Sequence, residues 1–431
     1  MKKALLILLI LAFISVPLTA CGGAPEPAAP PPAQDDTPAA APEPPPDEGD
    51  AGEDVGDANA AQTLRVWAAQ DDQDLMHELA AGFIAAYPQY SVLIEFGVVG
   101  EPDAFARFAE DPAAAADVFA FPNDQLRDFV KAGGLYEVQR NKDDIVSRNI
   151  EGSVEVASFD GKLWAYPMTA DNGYFLYYDK SVLTEDDIKT VDGLLAAAQS
   201  ADKKFLMALD DNAWYLVSFF FGAGNTITVD SAGNPIVDFN NAQGLAAAKA
   251  VKEITAHPAY MHGDDAVLTG GFGGSIAAGV SGIWNFDALK SILGDDLGAA
   301  KLPTFTMDGQ QVQMGSFSGY KMIGINAMID DPEKVAIAMD FADFITNEQS
   351  QLLRFEARGA GPSNIKAAGE PEVQENIAIV ALAAQEVYAT AQNDVPGNFW
   401  AAMGALGTAL VNQDSTDLQE MLDTVVAQIM S

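Results

Sequence analysis

After residue 61, segments with the hydrophobic pattern of strands alternate with segments that have the pattern of helices. Residues 63–67 predict a strand, because leucine, valine and tryptophan side chains dominate there. Residues 74–87 carry apolar side chains at Leu75, Leu79 and Phe83, which is the spacing of an amphipathic helix. Residues 91–99 are rich in β-branched and apolar residues and predict a second strand. The pattern therefore begins with a strand–helix–strand unit.

The same alternation continues as far as residue 134. Residues 105–116 favour a helix, and residues 117–121 predict a strand that is wholly apolar from Val118 onward. Asn123 and Asp124 can cap the next helix, which Gly133 and Gly134 end. Strands that alternate with helices predict an α/β lobe with a mainly parallel sheet.

The remaining chain contains further strands and a larger share of helices. No internal repeat is visible. The apolar patterns predict strands at 161–168, 174–179, 298–302 and 319–326, and helices at 191–200, 212–221, 242–255 and 333–346, with a helical C-terminal segment broken at 393–397 and 412–415.

The first twenty residues have the layout of a secretory signal. Lys2 and Lys3 precede an apolar run over residues 4–14, and small residues follow a break at residues 15–17. The run is short for a membrane span, so a retained transmembrane anchor is the less favoured alternative. Residues 1–20 are therefore predicted to be a signal peptide.

Cys21, the single cysteine, directly follows the predicted signal. Leu18-Thr19-Ala20-Cys21 resembles a bacterial lipobox, in which the cysteine becomes the lipid-modified N-terminus. One cysteine cannot form an intramolecular disulfide, so a structural role for its sulfur is not expected. The resemblance implies that the protein is anchored by lipid to the outer face of the cell membrane.

Residues 22–61 have the composition of a disordered tether. They contain ten Pro, eleven Ala and ten Asp or Glu, without any Lys, Arg or aromatic residue. Such a segment cannot bury enough apolar surface to offset its ordering entropy. We predict that residues 21–61 comprise the lipidated cysteine and a spacer.

The formal net charge of −39 excludes several partners. Nucleic-acid binding requires clustered Lys and Arg that neutralise phosphates, and the sequence has no such cluster. The acidity favours solubility outside the cell, or a cationic ligand.

A series of short motifs spans nearly all of residues 62–431. They are LRVW at 64–67, AGGL at 132–135, DGKLWAYP at 160–167, YDKSVL at 178–183, GVSGIW at 279–284, LPTF at 302–305, GIN at 324–326 and NFW at 398–400. In this order they resemble the extracellular solute-binding proteins of carbohydrate ABC importers, the group that includes maltose- and maltodextrin-binding proteins.

The resemblance implies an α/β, two-lobed fold of the type II periplasmic-binding-protein kind, with discontinuous lobes that close about a hinge. It implies that residues 62–171 and 300–345 form lobe one, and that residues 172–299 and 346–431 form lobe two. Its implied partners are a sugar and the permease subunits of an ABC importer, bound by a monomer without cofactor.

A sugar presents apolar C–H faces and a rim of hydroxyl groups, so its site needs aromatic walls with carboxylates or amides beside them. Such groups collect in the turns after parallel strands. The turns and the resemblance together indicate these ligand-binding candidates: Gln70, Asp71, Asp72, Phe121, Asp124, Asp171, Asn172, Trp214, Trp284 and Trp400.

Other roles remain open for several of these residues. Asp71, Asp72 and Asp124 could cap helices. Phe121 and Trp214 could belong to the core, and the register around Asp171 is uncertain by one residue. Two departures from the maltose-type pattern, Asn212 for a carboxylate and Phe121 for a tryptophan, argue against maltose itself but not against a sugar.

Catalysis and metal binding have no motif to support them. The histidines form no HExxH, and the sequence contains no P-loop and no G-x-S-x-G. We predict a binding protein and not an enzyme. The alternatives are a receptor of the same fold for a cationic solute such as a polyamine, since carboxylates beside aromatic rings also suit ammonium groups, and a surface sugar sensor without a transport role.

Overall fold

The computed structural model describes residues 54–57, 59–230 and 234–431. The predicted signal peptide, Cys21 and most of the predicted tether lie outside these residues. Within the ranges that are described, no helix is long and apolar enough to cross a membrane.

Short strands occur throughout the described chain. They are β1 (Val55–Gly56), β2 (Gln62–Ala68), β3 (Val92–Val98), β4 (Val118–Pro122), β5 (Ser158–Phe159), β6 (Lys162–Leu163), β7 (Tyr166–Thr169), β8 (Phe175–Asp179), β9 (Lys204–Leu206), β10 (Ile227–Val229), β11 (Pro235–Val237), β12 (Tyr260–Met261), β13 (Ile276–Ser281), β14 (Leu297–Ala300), β15 (Thr304–Met307), β16 (Gln310–Gln313), β17 (Ser316–Ser318), β18 (Lys321–Ile325) and β19 (Ala389–Ala391).

Helices lie between most of these strands and dominate the C-terminal part. They are α1 (Gln73–Ala86), α2 (Ala104–Glu110), α3 (Leu126–Lys131), α4 (Lys142–Arg148), α5 (Glu151–Val156), α6 (Val191–Ser200), α7 (Ala213–Gly222), α8 (Ala242–Thr255), α9 (Asp265–Gly271), α10 (Phe286–Leu293), α11 (Pro332–Ile345), α12 (Glu348–Arg358), α13 (Ile365–Ala368), α14 (Pro371–Gln374), α15 (Ile377–Glu386), α16 (Asn398–Val411) and α17 (Leu418–Ile429).

Two mixed sheets organise the fold. The first has the strand order β1-β3-β2-β4-β18-β7, and the second has the order β12-β9-β13-β8-β14. In the first sheet β2 pairs in parallel with β3 and β4, whereas β1, β18 and β7 pair antiparallel. The predicted parallel sheet is therefore limited to its three central strands, and strands from distant parts of the chain complete it.

Each sheet has its own hydrophobic core, which defines two lobes. Lobe one comprises residues 55–169 and 321–364, and its core joins the first sheet to α1 and α11. Lobe two comprises residues 174–317 and 377–431, and its main core joins the second sheet to α6, α7, α8 and α16. The chain crosses between the lobes three times, at about residues 170–173, 318–320 and 365–376.

Two of these crossings differ from the predicted boundaries. Residues 300–318 were predicted in lobe one, but Leu302, Phe305 and Phe317 lie fully buried in the lobe-two core. Residues 346–364 were predicted in lobe two, but α12 packs on lobe one, where the Gln351 side chain donates to the carbonyl of Pro167. The corrected crossings bring α12 to the cleft side of lobe one.

The folded part also begins earlier than the predicted tether boundary at residue 61. Val55 pairs with Ile94 at the edge of the first sheet and packs against the lobe-one core. Gly56 has a φ of 127°, and a Cβ there would lie 2.5 Å from the carbonyl oxygen of Val92. Only glycine allows this close approach, and Val55 and Gly56 of the predicted spacer belong to the sheet.

Candidate functional site

A cavity of about 940 Å³ lies between the two lobes. Turns at the ends of β2 and β4 form its lobe-one side, and the starts of α7, α9 and α16 form its lobe-two side. Most of the sequence-predicted candidates line it: Asp71, Asp72, Asp124, Asp171, Asn172, Trp214, Trp284 and Trp400.

Two candidates do not line the cavity. Gln70 is exposed at the start of the turn after β2. Phe121 is fully buried and packs between Phe119 and Phe129, with ring centroids 6.0 and 4.8 Å away. The structure therefore assigns Phe121 to the core, because its side chain points to the helix-covered face of β4.

Asp72 is held by two arginines of α12. Its Oδ2 pairs with Nη1 of Arg354, and its Oδ1 accepts a hydrogen bond of 3.1 Å from Nε of Arg358. Asp71 pairs with Arg358 at 3.3 Å. Neither aspartate caps a helix with its side chain. Both oxygens of Asp72 are thus already satisfied by lobe one itself.

A lysine at the base of the cavity extends this charge cluster. The Lys321 amine lies 3.2 Å from Oε1 of Glu101. Burial favours the neutral amine, but the carboxylates of Glu101 and Asp171 outweigh it and raise the pKa of Lys321. Burial likewise opposes ionisation of Asp72, but Arg354 and Lys321 lower the pKa of that carboxyl. The neighbouring opposite charges therefore favour the ionised forms of Lys321 and Asp72.

Asp124 lies where the two lobes meet. Among the described residues its Oδ1 has no hydrogen-bond partner, although it is shielded from solvent. Burial raises the pKa of Asp124 to about 7, against the opposing hydrogen bond from Gln392 of lobe two. No capping bond from Asp124 to a helix is formed. The Asp124 carboxyl group thus belongs to the cavity lining and keeps one oxygen that has no hydrogen-bond partner among the described residues.

The stability of the protein should depend on the protonation of Asp124. Because its folded-state pKa is raised, its stabilising contribution is complete below the ordinary pKa of 3.8 and is lost as pH rises through about 7. We expect the melting temperature of the wild type to fall, relative to that of Asp124→Asn, between about pH 4 and 7. Melting curves without ligand test this, with Asp186→Asn on the surface as the control. A constant difference between the two proteins would contradict it.

Asp171 and Asn172 occupy the first crossing between the lobes. Oδ2 of the buried Asp171 accepts a hydrogen bond of 2.7 Å from the backbone N–H of Gly361. Burial raises the pKa of Asp171, partly offset by the positive charge of Lys321. The Asn172 amide donates to Oε1 of Gln392 in lobe two at 3.2 Å. These residues therefore join the hinge to the cavity wall.

The lobe-two side is aromatic. Trp214 stacks on Phe317 at 5.2 Å and lies 6.3 Å from Trp400. Both tryptophans are half-buried and pack against the lobe-two core. Trp284 stands apart from that core, and its indole N–H donates to Oδ2 of Asp265 at 2.8 Å. The flat faces along this side suit an apolar ring face of a ligand.

Sequence reasoning missed several lining residues. Glu101, Lys321, Arg354, Arg358 and Asp265 all reach the cavity. Glu101 follows β3 in the same kind of turn that identified Asp71, so the turn rule could have found it. Lys321 and the two arginines carried no comparable signal, because only the chain crossings bring them to the cleft.

The chain is similar to known proteins in family, in sequence and in structure. A sequence model of the family described as bacterial extracellular solute-binding protein matches residues 78–381. The galactooligosaccharide-binding protein of Bacillus subtilis (strain 168) is 28% identical over 353 residues, which cover 77% of this chain and 80% of that protein. These matches confirm the predicted resemblance.

Solved structures give the same result for the fold. The maltodextrin binding protein MalE1 from L. casei BL23, determined without ligand, is 27% identical with a TM-score of 0.72 and covers 88% of this chain and 100% of its own. A solved structure with acarbose is 29% identical, with a TM-score of 0.76, and the match covers 85% of this chain and 98% of that one. The Thermus thermophilus maltotriose binding protein shares the fold. It is 19% identical, with a TM-score of 0.72, and the match covers 85% of this chain and 99% of that one. The predicted two-lobed class is confirmed.

Proposed function

The chain belongs to the bacterial extracellular solute-binding protein family, and we propose that it captures an oligosaccharide in the cavity between its lobes. One observation carries this proposal. Aromatic side chains of lobe two and carboxylates of lobe one line the same cavity, whose volume is about 940 Å³. Sugars require this pairing of flat apolar walls with polar partners. The named binding targets of the relatives, galactooligosaccharide and maltodextrin, support the same ligand class.

Binding would favour a closed arrangement of the lobes. A ligand that contacts Trp284 on one lobe and Asp124 on the other stabilises the state in which both contacts form. We place the proposed hinge at the three crossings. We propose that the closed, loaded monomer delivers its sugar to the permease subunits of an ABC importer, and that it acts without catalysis.

A thermal-shift screen tests the ligand class. At 100 times its dissociation constant, a ligand should stabilise the folded state by about 2.7 kcal/mol. We expect maltotriose or a galactooligosaccharide to raise the melting temperature, and spermidine to leave it unchanged. Stabilisation by spermidine alone would overturn the proposal.

The cationic alternative has a specific observation in its favour. Carboxylates outnumber basic groups along the described cavity wall. The acidic residues there are Asp71, Asp72, Glu101, Asp124, Asp128, Asp171, Asp264 and Asp265, against Lys321, Arg354 and Arg358. The spermidine arm of the screen therefore decides between the two ligand classes.

The proposed anchor is tested separately. We propose that Cys21 carries lipid and holds the protein on the outer face of the cell membrane. Cys21→Ser should release the protein into the soluble fraction or leave its signal uncleaved. A variant that is processed normally and stays with the membrane would contradict the anchor.

A further inference from the structure

Trp284 is oriented by neighbours that are not part of the hydrophobic core. Its ring lies in the cavity wall, outside the packed residues that hold Trp214 and Trp400. A half-buried indole of this kind can adopt several rotamers unless a polar contact selects one. The 2.8 Å hydrogen bond from its N–H to Oδ2 of Asp265 provides that contact.

Asp265 is itself held in place. Its Oδ1 accepts a hydrogen bond of 3.1 Å from the hydroxyl of Ser281, which in turn accepts one of 2.8 Å from the amide of Asn285. Ser281 and Asn285 are both buried. The chain of contacts therefore runs from the buried end of β13 through Asp265 to the indole.

Gly282 supplies the space for this ring position. A Cβ on Gly282 would lie 2.0 to 2.5 Å from atoms of the Trp284 ring. The backbone there is also fixed, because the Tyr177 hydroxyl donates to the Gly282 carbonyl at 3.1 Å. The ring therefore folds back over a glycine and ends at a single carboxylate acceptor.

We propose that Asp265 is a positioning residue that holds the Trp284 indole in the cavity wall and thereby sets the ring face offered to the ligand. Its effect on affinity rests on the proposed sugar-binding function. The orientation of the Trp284 ring does not depend on that function, so the orientation and the effect on affinity can be tested separately.

The first test uses the protein without ligand. The chain has five tryptophans, so the emission of Trp284 is taken as the difference between each protein and its Trp284→Phe counterpart. Asp265→Ala should shift this difference spectrum and increase its quenching by acrylamide. Asp265→Asn keeps an acceptor and should restore the wild-type spectrum. Gly282→Ala should displace the ring with Asp265 intact. An unchanged difference spectrum in Asp265→Ala would overturn the proposal.

The second test is calorimetric titration with maltotriose. Loss of one orienting hydrogen bond should weaken binding roughly five- to tenfold in Asp265→Ala. Asp265→Asn keeps an acceptor for the indole N–H and should recover most of that loss. In the Trp284→Phe protein, Asp265→Ala should weaken maltotriose binding by a smaller factor than it does in the wild type. An equal penalty in both backgrounds would show that Asp265 acts independently of Trp284. If neither maltotriose nor a galactooligosaccharide bound the wild type, the ligand class would be contradicted and the spectroscopic result would stay valid.

Discussion

Replacing Arg354 with Met is expected to lower the free energy of unfolding by about 3 kcal/mol. The Arg354 side chain is 3% exposed and that of Asp72 is 15% exposed, so their ion pair is largely withdrawn from water. Removing one member of a buried pair leaves the other charge poorly compensated. Arg358 still contacts Asp72, which places the expected loss at the lower end of the range for such pairs.

Urea denaturation with matched variants measures this effect. Lys189→Met breaks an exposed pair with Asp186 and should cost far less than Arg354→Met, because water screens the two exposed charges. Adding Asp72→Asn to Arg354→Met should recover part of the loss, because the stranded charge disappears. Equal effects of Arg354→Met and Lys189→Met would show that the α12 contact does not stabilise lobe one.

Replacing Trp214 with Ala is expected to reduce both stability and ligand binding. Trp214 packs on Tyr174 and Phe317 in the lobe-two core, so its truncation should cost about 3 kcal/mol of folding free energy. Its cavity-facing side should also lose ligand contact. Trp284 lies outside that core, so Trp284→Ala should leave the melting transition nearly unchanged.

Both variants should bind more weakly than the wild type. Loss of one aromatic face is expected to cost about 1–3 kcal/mol, by analogy with interface hot spots and base stacking. That corresponds to roughly a 5- to 150-fold rise in the dissociation constant. Calorimetry with the best sugar from the screen checks the binding, and thermal melts check the fold. Wild-type affinity in Trp284→Ala would remove that residue from the wall.

The first lobe could be predicted closely because its signal is local. The strand predicted at residues 63–67 is observed at Gln62–Ala68, and the helix predicted at 74–87 is observed at Gln73–Ala86. Such elements are determined by apolar periodicity, which depends only on residues that are close together in the sequence. Residues 300–318 were placed in the wrong lobe for the opposite reason. Their position depends on β14 pairing with β8, which is a long-range contact.

The candidate site shows the same division. Asp71 and Asp124 were identifiable because they follow strands whose ends meet at one edge of the sheet. Phe121 was misassigned, because a strand buried on both faces has no alternation to show which way a side chain points. Arg354 was missed because its helix, α12, reaches the cleft only after the second crossing has returned the chain to lobe one. Periodicity carries no information about that contact.

A crystal structure of the protein with its best-stabilising oligosaccharide tests the central claim most directly. The account predicts sugar density in the cavity between the lobes, with a ring face against Trp284 and hydroxyl groups within hydrogen-bonding distance of Asp124. Density at any surface outside that cavity, or a sugar that contacts one lobe alone while the other stays open, would contradict it.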